Sequence, residues 1–569
     1  MSRLGVGRSR LGAMVLGLAV VIGACAPSSV APATGPERRP ADAGPARPTL
    51  LTLAVPSEPT GMSDKIYQAA SNLDNLFQAN LMYLDDRDVA QPLLALRAPS
   101  QADGSWLVYP DGTMRTTYTL KPDLKWQDGQ PLTADDFVFA HAVYTDDEIP
   151  VDTRLPESLM SRVLAPDSRT VEIHWRQPFV GAGSLANHDL TPIPRHLMGE
   201  LYARDKSAFM SSPYWFSEEH ISAGPFRLTA WDRGAGLTFA ANPYFALGKP
   251  GIDTVRVVFV ADRNTAMARI LAGAIDVYPG GTTELALTLK ERWQADNGGN
   301  LYVMSQSVNR LSFQFRDVPG LQRAVLDVRV RQALMHAIDR AALAEALDGS
   351  LGMAADTAYP PGSRLNPRME QVIARHPFDT ARALALLRDA GWTPGPDGRL
   401  LDSGGRTLDL EIRSGEAQDS SIISDYWKQV GVSPTAMLIT GILRRDDEWR
   451  AHFPATQIAS TGQGYLTNLA TRSAPNAATG WRGSQNRGTY NNPEFNRLYD
   501  LQLTTLDPAA RDDVLIELER ITTQDLPVGF TTYNASPIIA RSNVKGLRAV
   551  SKEFGNYLWN VWEWTVEDR

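Results

Sequence analysis

Apolar and polar positions along this chain fall into short strand-like bursts separated by turn residues and by longer stretches with helical spacing. LLTLAV at residues 50–55 is an apolar run of the length of a buried strand. TTYTL at 116–120 alternates under β-branched and aromatic enrichment, which puts Tyr118 and Leu120 on one face. TVEIHW at 170–175, the apolar run 254–260 and NRLSFQF at 309–315 read as further strands. Residues 67–84 follow a helical period instead, with Leu73, Phe77, Asn80 and Leu81 along one side. Helices are also expected at 264–272, ended by Gly273, and at 378–391, 421–430 and 514–524. In LDVRVRQALMHAIDRAALAEAL, residues Val330, Ala333, Leu334, Ala337 and Ile338 form one core stripe. TLDLEIRS, the helix 421–430 and SPTAMLI follow in strand–helix–strand order, which argues for a parallel sheet. The aromatic tail NYLWNVWEW is expected to pack as an edge strand and cap.

The most legible stretch is 111–140, DGTMRTTYTLKPDLKWQDGQPLTADDFVFA. After its strand, Asp128-Gly129 supplies a tight turn, because glycine takes positive φ without a steric penalty. Thr133 then caps a helix with Asp135 and Asp136 in the first turn, where the helix dipole favours negative charge.

This stretch resembles the signature of the family 5 extracellular solute-binding proteins, the dipeptide and oligopeptide receptors of ABC importers, which reads roughly YTFKLRxGVKWxDGxPLTAxDVVF. Further blocks resemble the family in the same order: SAGPFRL, ANPYF, KPGIDTV, LAGAIDVY, VRQALMHAIDRAAL, FDTARALALLRDAG, YNNPEFNRLYD and LPVGF. The resemblance runs from Leu50 to the C-terminus. It implies an α/β fold of the periplasmic-binding-protein type II-like class, with two lobes, a cleft, a hinge and the extra N-terminal subdomain of cluster C. The implied division is 49–85 for the first part of lobe I, 86–219 for its inserted subdomain, 220–312 for its second part, 313–528 for lobe II and 529–569 for the return to lobe I. Two chain crossings, near 309–315 and 526–533, would form the hinge. A bound solute would favour the closed form, which an ABC permease and ATPase complex would read.

Length and composition narrow the picture. At 569 residues the chain is too long for one core and suggests about three domains of roughly 100 to 200 residues each. A net charge of −8 and a pI near 5.6 argue against a nucleic-acid partner, which needs a basic stripe. Residues 1–25 read as a signal segment: Arg3, Arg8 and Arg10 precede an apolar run at 11–22, and Ile22-Gly23-Ala24-Cys25 resembles a bacterial lipobox. Cys25 is the single cysteine, so no internal disulfide is possible and a lipid anchor gives the thiol a purpose. Residues 26–48, rich in proline and alanine, are expected to be an extended tether. The expected protein is an extracytoplasmic, membrane-anchored monomer.

No local chemistry points to an enzyme, a metal or a cofactor. The eight histidines, at 141, 174, 188, 196, 220, 336, 376 and 452, never show HxH or HExxH spacing. GxSxG, Walker A and GxGxxG patterns are absent. Asp135 and Asp136 are adjacent on a helix and point about 100° apart, so they cannot flank one glycosidic bond.

One departure from the family pattern is informative. Peptide-binding members carry a WxADYPDP-like stretch whose Asp pairs with the ligand's α-ammonium group. Here the corresponding residues 449–493 contain no Asp or Glu, while Arg450, Arg472, Arg482 and Arg487 are present. Burying an ammonium group without a counter-charge costs on the order of several kcal/mol. The expected ligand therefore carries an anionic group or is a neutral polar solute flanked by aromatics; the other reading makes these arginines solvated loop residues. Candidate ligand contacts are Tyr465 and Trp481 as aromatic faces, Arg472 and Arg482 as anion partners, and Asn80 on the early helix that the resemblance places near the cleft. Peptides, opines, sugars and metal chelates all remain open as ligands, as does a lipoprotein sensor without a transport role.

Overall fold

The computed structural model describes residues 48–567 except 68–72, 152–153, 296, 306, 463–465, 467–468, 480, 482–485 and 550–556. The apolar run at the start of the chain becomes the strand Leu50–Val55 inside a seven-stranded sheet. The order across that sheet is Gly299–Met304, Ser536–Arg541, Val277–Tyr278, Leu50–Val55, Thr254–Phe259, Gly236–Ala241 and Phe226–Asp232. Leu50–Val55 pairs in parallel with Thr254–Phe259, from Leu50 opposite Thr254 to Val55 opposite Phe259. Both faces are covered, which is why these strands read as nearly continuous apolar runs. Leu51, Leu53, Val255 and Val257 pack with Phe226, Phe239 and Trp564, while Ala54 turns to the opposite side, with Ile270, Ala286 and Leu289.

A second sheet has six strands, in the order Met353–Ala354, Val528–Tyr533, Val308–Phe313, Thr456–Thr461, Asp409–Ser414 and Ser433–Leu438. The expected strand–helix–strand unit is present. Asp409–Ser414 and Ser433–Leu438 run parallel in full register and are joined by the helix Ala417–Gln429. Thr456–Thr461 lies parallel on the other side of Asp409–Ser414. Leu410, Ile412, Trp427 and Leu334 fill the core beneath.

The third sheet is antiparallel, in the order Trp106–Val108, Met114–Thr119, Thr170–Trp175 and Met160–Asp167. Its alternation matches burial: Met114, Thr116 and Tyr118 are buried with Val171, Ile173 and Trp175. The signature stretch serves this layer. Gly129 takes φ +86 in the turn, and the helix Ala134–Thr145 follows. Asp136 accepts three hydrogen bonds, from the N–H of Thr133 (2.9 Å), the N–H of Arg195 (2.9 Å) and Trp126 Nε1 (3.3 Å). One carboxylate thus closes the helix start, seats the turn's tryptophan and docks the next helix, Arg195–Arg204.

The chain passes from the seven-stranded to the six-stranded sheet between Met304 and Val308 and returns between Tyr533 and Ser536. The expected crossings at 309–315 and 526–533 lie mainly inside strands of the six-stranded sheet; the linkers are shorter and lie just outside them.

Two other expectations are corrected. No helix spans 67–84: the described residues there form the short helices Asp64–Tyr67 and Asp74–Phe77 and the strand Met82–Leu84. Leu73 and Phe77 are buried in the core of the seven-stranded sheet and Leu81 in that of the antiparallel layer, and Asn80 sits in extended chain. The expected stripe Val330, Ala333, Leu334, Ala337 and Ile338 is buried in one core, and beyond it the Asp339 side chain accepts the N–H of Ala342 (3.0 Å) and starts a second helix, Arg340–Asp348, after Val328–His336. The tail forms no edge of a large sheet. Thr565–Val566 pairs only with Val544–Lys545, while Trp564 is buried against the seven-stranded sheet.

Candidate functional site

The carboxyl ends of parallel strands are where an α/β sheet leaves a crevice, since the chain departs from each strand end in a different direction. In the six-stranded sheet, Ser414, Ile439 and Ser460 lie at or just beyond the ends of three parallel strands, and all three line one cleft of about 400 Å³. Asn309, on the antiparallel neighbour, lies opposite Ser460 and lines it too. The remaining wall carries Glu416 and Asp419 from the start of the helix Ala417–Gln429, together with Arg444, Arg450 and Arg487.

Each charged group is held from behind. Ser414 Oγ donates to Asp419 Oδ1 (2.8 Å) and accepts the N–H of Glu416 (3.0 Å). Burial raises the Asp419 pKa, while the bonds from Ser414 and the Ser420 N–H pull it back. Arg450 belongs to the short helix Asp447–Ala451, whose first turn is capped by the Asp446 carboxylate (2.9 Å to the Trp449 N–H). Buried Arg413 binds the Trp449 carbonyl (2.8 Å), and Gln314 Nε2 binds the carbonyls of Ala451 (3.1 Å) and Phe453 (2.7 Å).

Arg487 is fixed by its two neighbours. The buried Asn486 side chain donates to the carbonyls of Leu469 (2.8 Å) and Tyr490 (3.0 Å) and accepts the Tyr490 N–H (2.8 Å). Gly488 accepts the Phe315 N–H (2.8 Å) and lies so close to the strand Val308–Phe313 that a Cβ there would stand 2.2 Å from the Phe313 oxygen. Only glycine permits this approach. The pKa of Arg487 is pushed down to about 10, first by burial and then by Arg450 and Arg310, with Asp447 pulling the other way. Arg310, 1% exposed, stands on the strand Val308–Phe313 and donates to Ser312 Oγ.

The sequence candidates fall in several places. Tyr465 and Arg482 lie outside the described residues. Arg472 is exposed, paired with Asp500 (2.8 Å) and set against the Tyr499 ring (4.5 Å). Trp481, at φ +60, packs edge-on to His452 (4.6 Å), with the Arg316 guanidinium 5.1 Å from its ring centre. Asn80 is buried, accepts from Thr191 Oγ1 (2.9 Å) and borders a small cavity with Trp559 and Trp562. Among these described candidates none lines the 400 Å³ cleft. Of the four arginines in the acid-free stretch, Arg450 and Arg487 do. Ser414 and Asp419 had one available signal, the parallel strand–helix unit, whose strand ends mark a crevice.

Two α/β sheets joined by two short crossings, with a polar cleft at the strand ends, define a solute-binding protein of the two-lobed type II-like class. The model of the bacterial extracellular solute-binding proteins, family 5 Middle, matches residues 98–467, and the chain belongs to that family. It is 25% identical over 495 residues to Protein XP55 of Streptomyces lividans, covering 86% of this chain and 85% of that one. Other curated relatives are matched over less of their own length, 64% and 59% for two of them. An oligopeptide-binding protein from Thermus thermophilus, solved with a pentapeptide, superposes with a TM-score of 0.67 at 22% identity, over 91% of this chain and 96% of that one. NikZ from Campylobacter jejuni, solved with Ni(L-His), gives 0.67 at 19% identity over 91% and 99%.

Proposed function

We propose that this protein is the substrate-binding receptor of an ABC importer, capturing a peptide or a peptide-like polar solute by closure of its two lobes and delivering it to a membrane permease. The observation that carries this reading is the position of the cleft relative to the crossings. Asn309 and Ser460 line the cleft, and Asn534, in the returning linker, donates to Ser460 Oγ (2.7 Å). A solute in the cleft therefore sits one residue away from the joint between the sheets, where contact to both lobes favours closure. We read the cleft as a binding site and not a catalytic one, as befits a member of a solute-binding family.

Relatives solved with a pentapeptide and with a nickel–histidine complex support a small polar cargo and leave its identity to the side chains of this cleft. The receptor would act outside the cytoplasm as a monomer, held to the membrane by lipid on Cys25 and spaced from it by residues 26–48. Among the described residues no helix is long and apolar enough to cross a membrane. Mass spectrometry of the solute released on denaturing the purified protein, with uptake of that solute in a deletion strain, tests the reading. Undiminished uptake would refute the transport role, and a Cys25→Ala protein that stays with the membrane would refute the anchor.

A further inference from the structure

The cleft walls differ in how their charges are satisfied. Asp419 is engaged by Ser414 and Ser420, and Glu416 is exposed to solvent. By contrast, no described residue accepts a hydrogen bond from the mostly buried Arg487 guanidinium, whose Nε is buried without a partner, and Asp447 offsets its charge only in part. Arg450 Nε is likewise buried without a partner; its Nη1 reaches only the Arg444 carbonyl (3.3 Å) and, at 3.9 Å, Asp447. Gln457 Nε2, a third buried donor without a partner, belongs to a residue lining the same cleft.

Residues 449–493 contain no Asp or Glu that could serve as a counter-charge. Arg487 and Arg450 line the same cleft and repel each other, with Asp447 offsetting this only in part, so an anion between them relieves a cost. Their backbones are nevertheless fixed, Arg487 by Asn486 and Gly488, and Arg450 by Arg413 and Gln314.

We infer that this wall binds an oxyanion of the solute, a carboxylate or a phosphate, with Arg487 and Arg450 as its partners and the Gln457 amide as an additional donor. The inference rests on the receptor reading above and narrows it: the cargo is held in lobe II by a negative group. A free α-ammonium group is not what this wall recognises. Arginine suits the task because its planar fork meets two oxygens at once.

The test uses full-length protein stripped of carried solute by unfolding and refolding, titrated calorimetrically with four probe sets. These are N-acetylated di- to pentapeptides with free carboxylates, the same peptides as C-terminal amides, sugar phosphates, and the parent neutral sugars. The expected result is binding by the carboxylate or the phosphate set, at least ~30-fold weaker binding by its uncharged counterpart, and a similar loss in Arg487→Met. Arg487→Lys, which keeps the charge without the fork, should recover part of the affinity. The carboxylate and phosphate arms separate the two sources of oxyanion. Uncharged probes that bind the native protein as tightly as their anionic counterparts, or a folded Arg487→Met protein with unchanged affinity, would overturn the oxyanion wall and leave the receptor intact. Failure of every set, together with no solute found in the protein as purified, would remove both.

Discussion

Asn534 and Ser307, one in each linker between the two large sheets, are joined twice: the Asn534 N–H donates to the Ser307 carbonyl (3.0 Å) and Asn534 Nδ2 to Ser307 Oγ (2.8 Å). The same amide reaches Ser460 Oγ (2.7 Å) on the cleft wall. Asn534→Ala keeps the backbone bond and removes both side-chain bonds, which costs about 1 to 2 kcal/mol in this partly exposed setting. The linkers, and not the sheets, should loosen. Hydrogen exchange should quicken in peptides covering 305–309 and 533–536 and stay unchanged in the strand Thr254–Phe259. Equal protection in native and variant linkers would count against a joint held by this residue.

Glu519 sets the alkaline side of stability. It is fully buried on the helix Pro508–Asp525, with Oε1 accepting the Ala358 N–H (3.0 Å) and Oε2 without a partner. Burial pushes its pKa up to about 7, against the pull of Thr357 and Ala358. The folded state therefore holds this proton more tightly than the unfolded chain, whose glutamate titrates near ~4.3. Its contribution is fully present below that value and is lost as pH rises through about 7. Glu519→Gln removes the ionisation, so its unfolding free energy from urea denaturation should match that of the native protein at pH 3.5 and exceed it at pH 8.5, by an amount on the order of 3 kcal/mol. A pH-independent difference would contradict this assignment.

What could be read in the sequence follows from the range of the interactions involved. Strands 50–55 and 170–175 were legible because local alternation or continuous apolarity reflects a single burial environment, and the signature stretch because turn, cap and helix are neighbours in sequence. Residues 67–84 mislead for the same reason: Leu73, Phe77 and Leu81 keep a helical period although Leu81 is buried in a different core from the other two. The split at Asp339 was written in its capping side chain but masked by the continuous apolar stripe. In the candidate site, the lack of acid in 449–493 singled out a stretch from which Arg450 and Arg487 line the cleft. It could not rank the arginines, because Arg472 finds Asp500 by tertiary packing while Arg487 finds Arg310, 177 positions earlier in the numbering.

Arg472 tests that ranking directly. Its pair with Asp500 joins two side chains that are each more than half exposed, a setting in which ion pairs are worth well under ~1 kcal/mol. Arg472→Ala should leave the denaturation midpoint and solute affinity near native values. A loss of affinity comparable to that of Arg487→Met would move the anion site away from the strand ends and into the loop.

The most deeply buried ion pair among the described residues links the entry of the chain to the antiparallel layer. Lys65 Nζ, on the helix Asp64–Tyr67, meets Glu157 Oε2 at 2.5 Å and the carbonyls of His188 (3.2 Å) and Leu155 (3.3 Å), and both side chains are almost fully buried. Glu157 Oε1 accepts the Leu190 N–H (2.7 Å), so the carboxylate also anchors the backbone behind it. Lys65→Met leaves that carboxylate charged and enclosed and should cost about 3 to 5 kcal/mol. It also removes the cation that holds down the pKa of neighbouring Asp189, already pushed up to about 7 by burial. In Lys65→Met with Glu157→Gln the orphaned charge is gone and the amide can still accept from Leu190, so the double variant should be more stable than Lys65→Met alone. Urea denaturation of the four proteins at pH 7 measures the coupling, expected at more than ~1 kcal/mol. Strict additivity would mean that the pair, despite its burial, contributes no more than a surface contact.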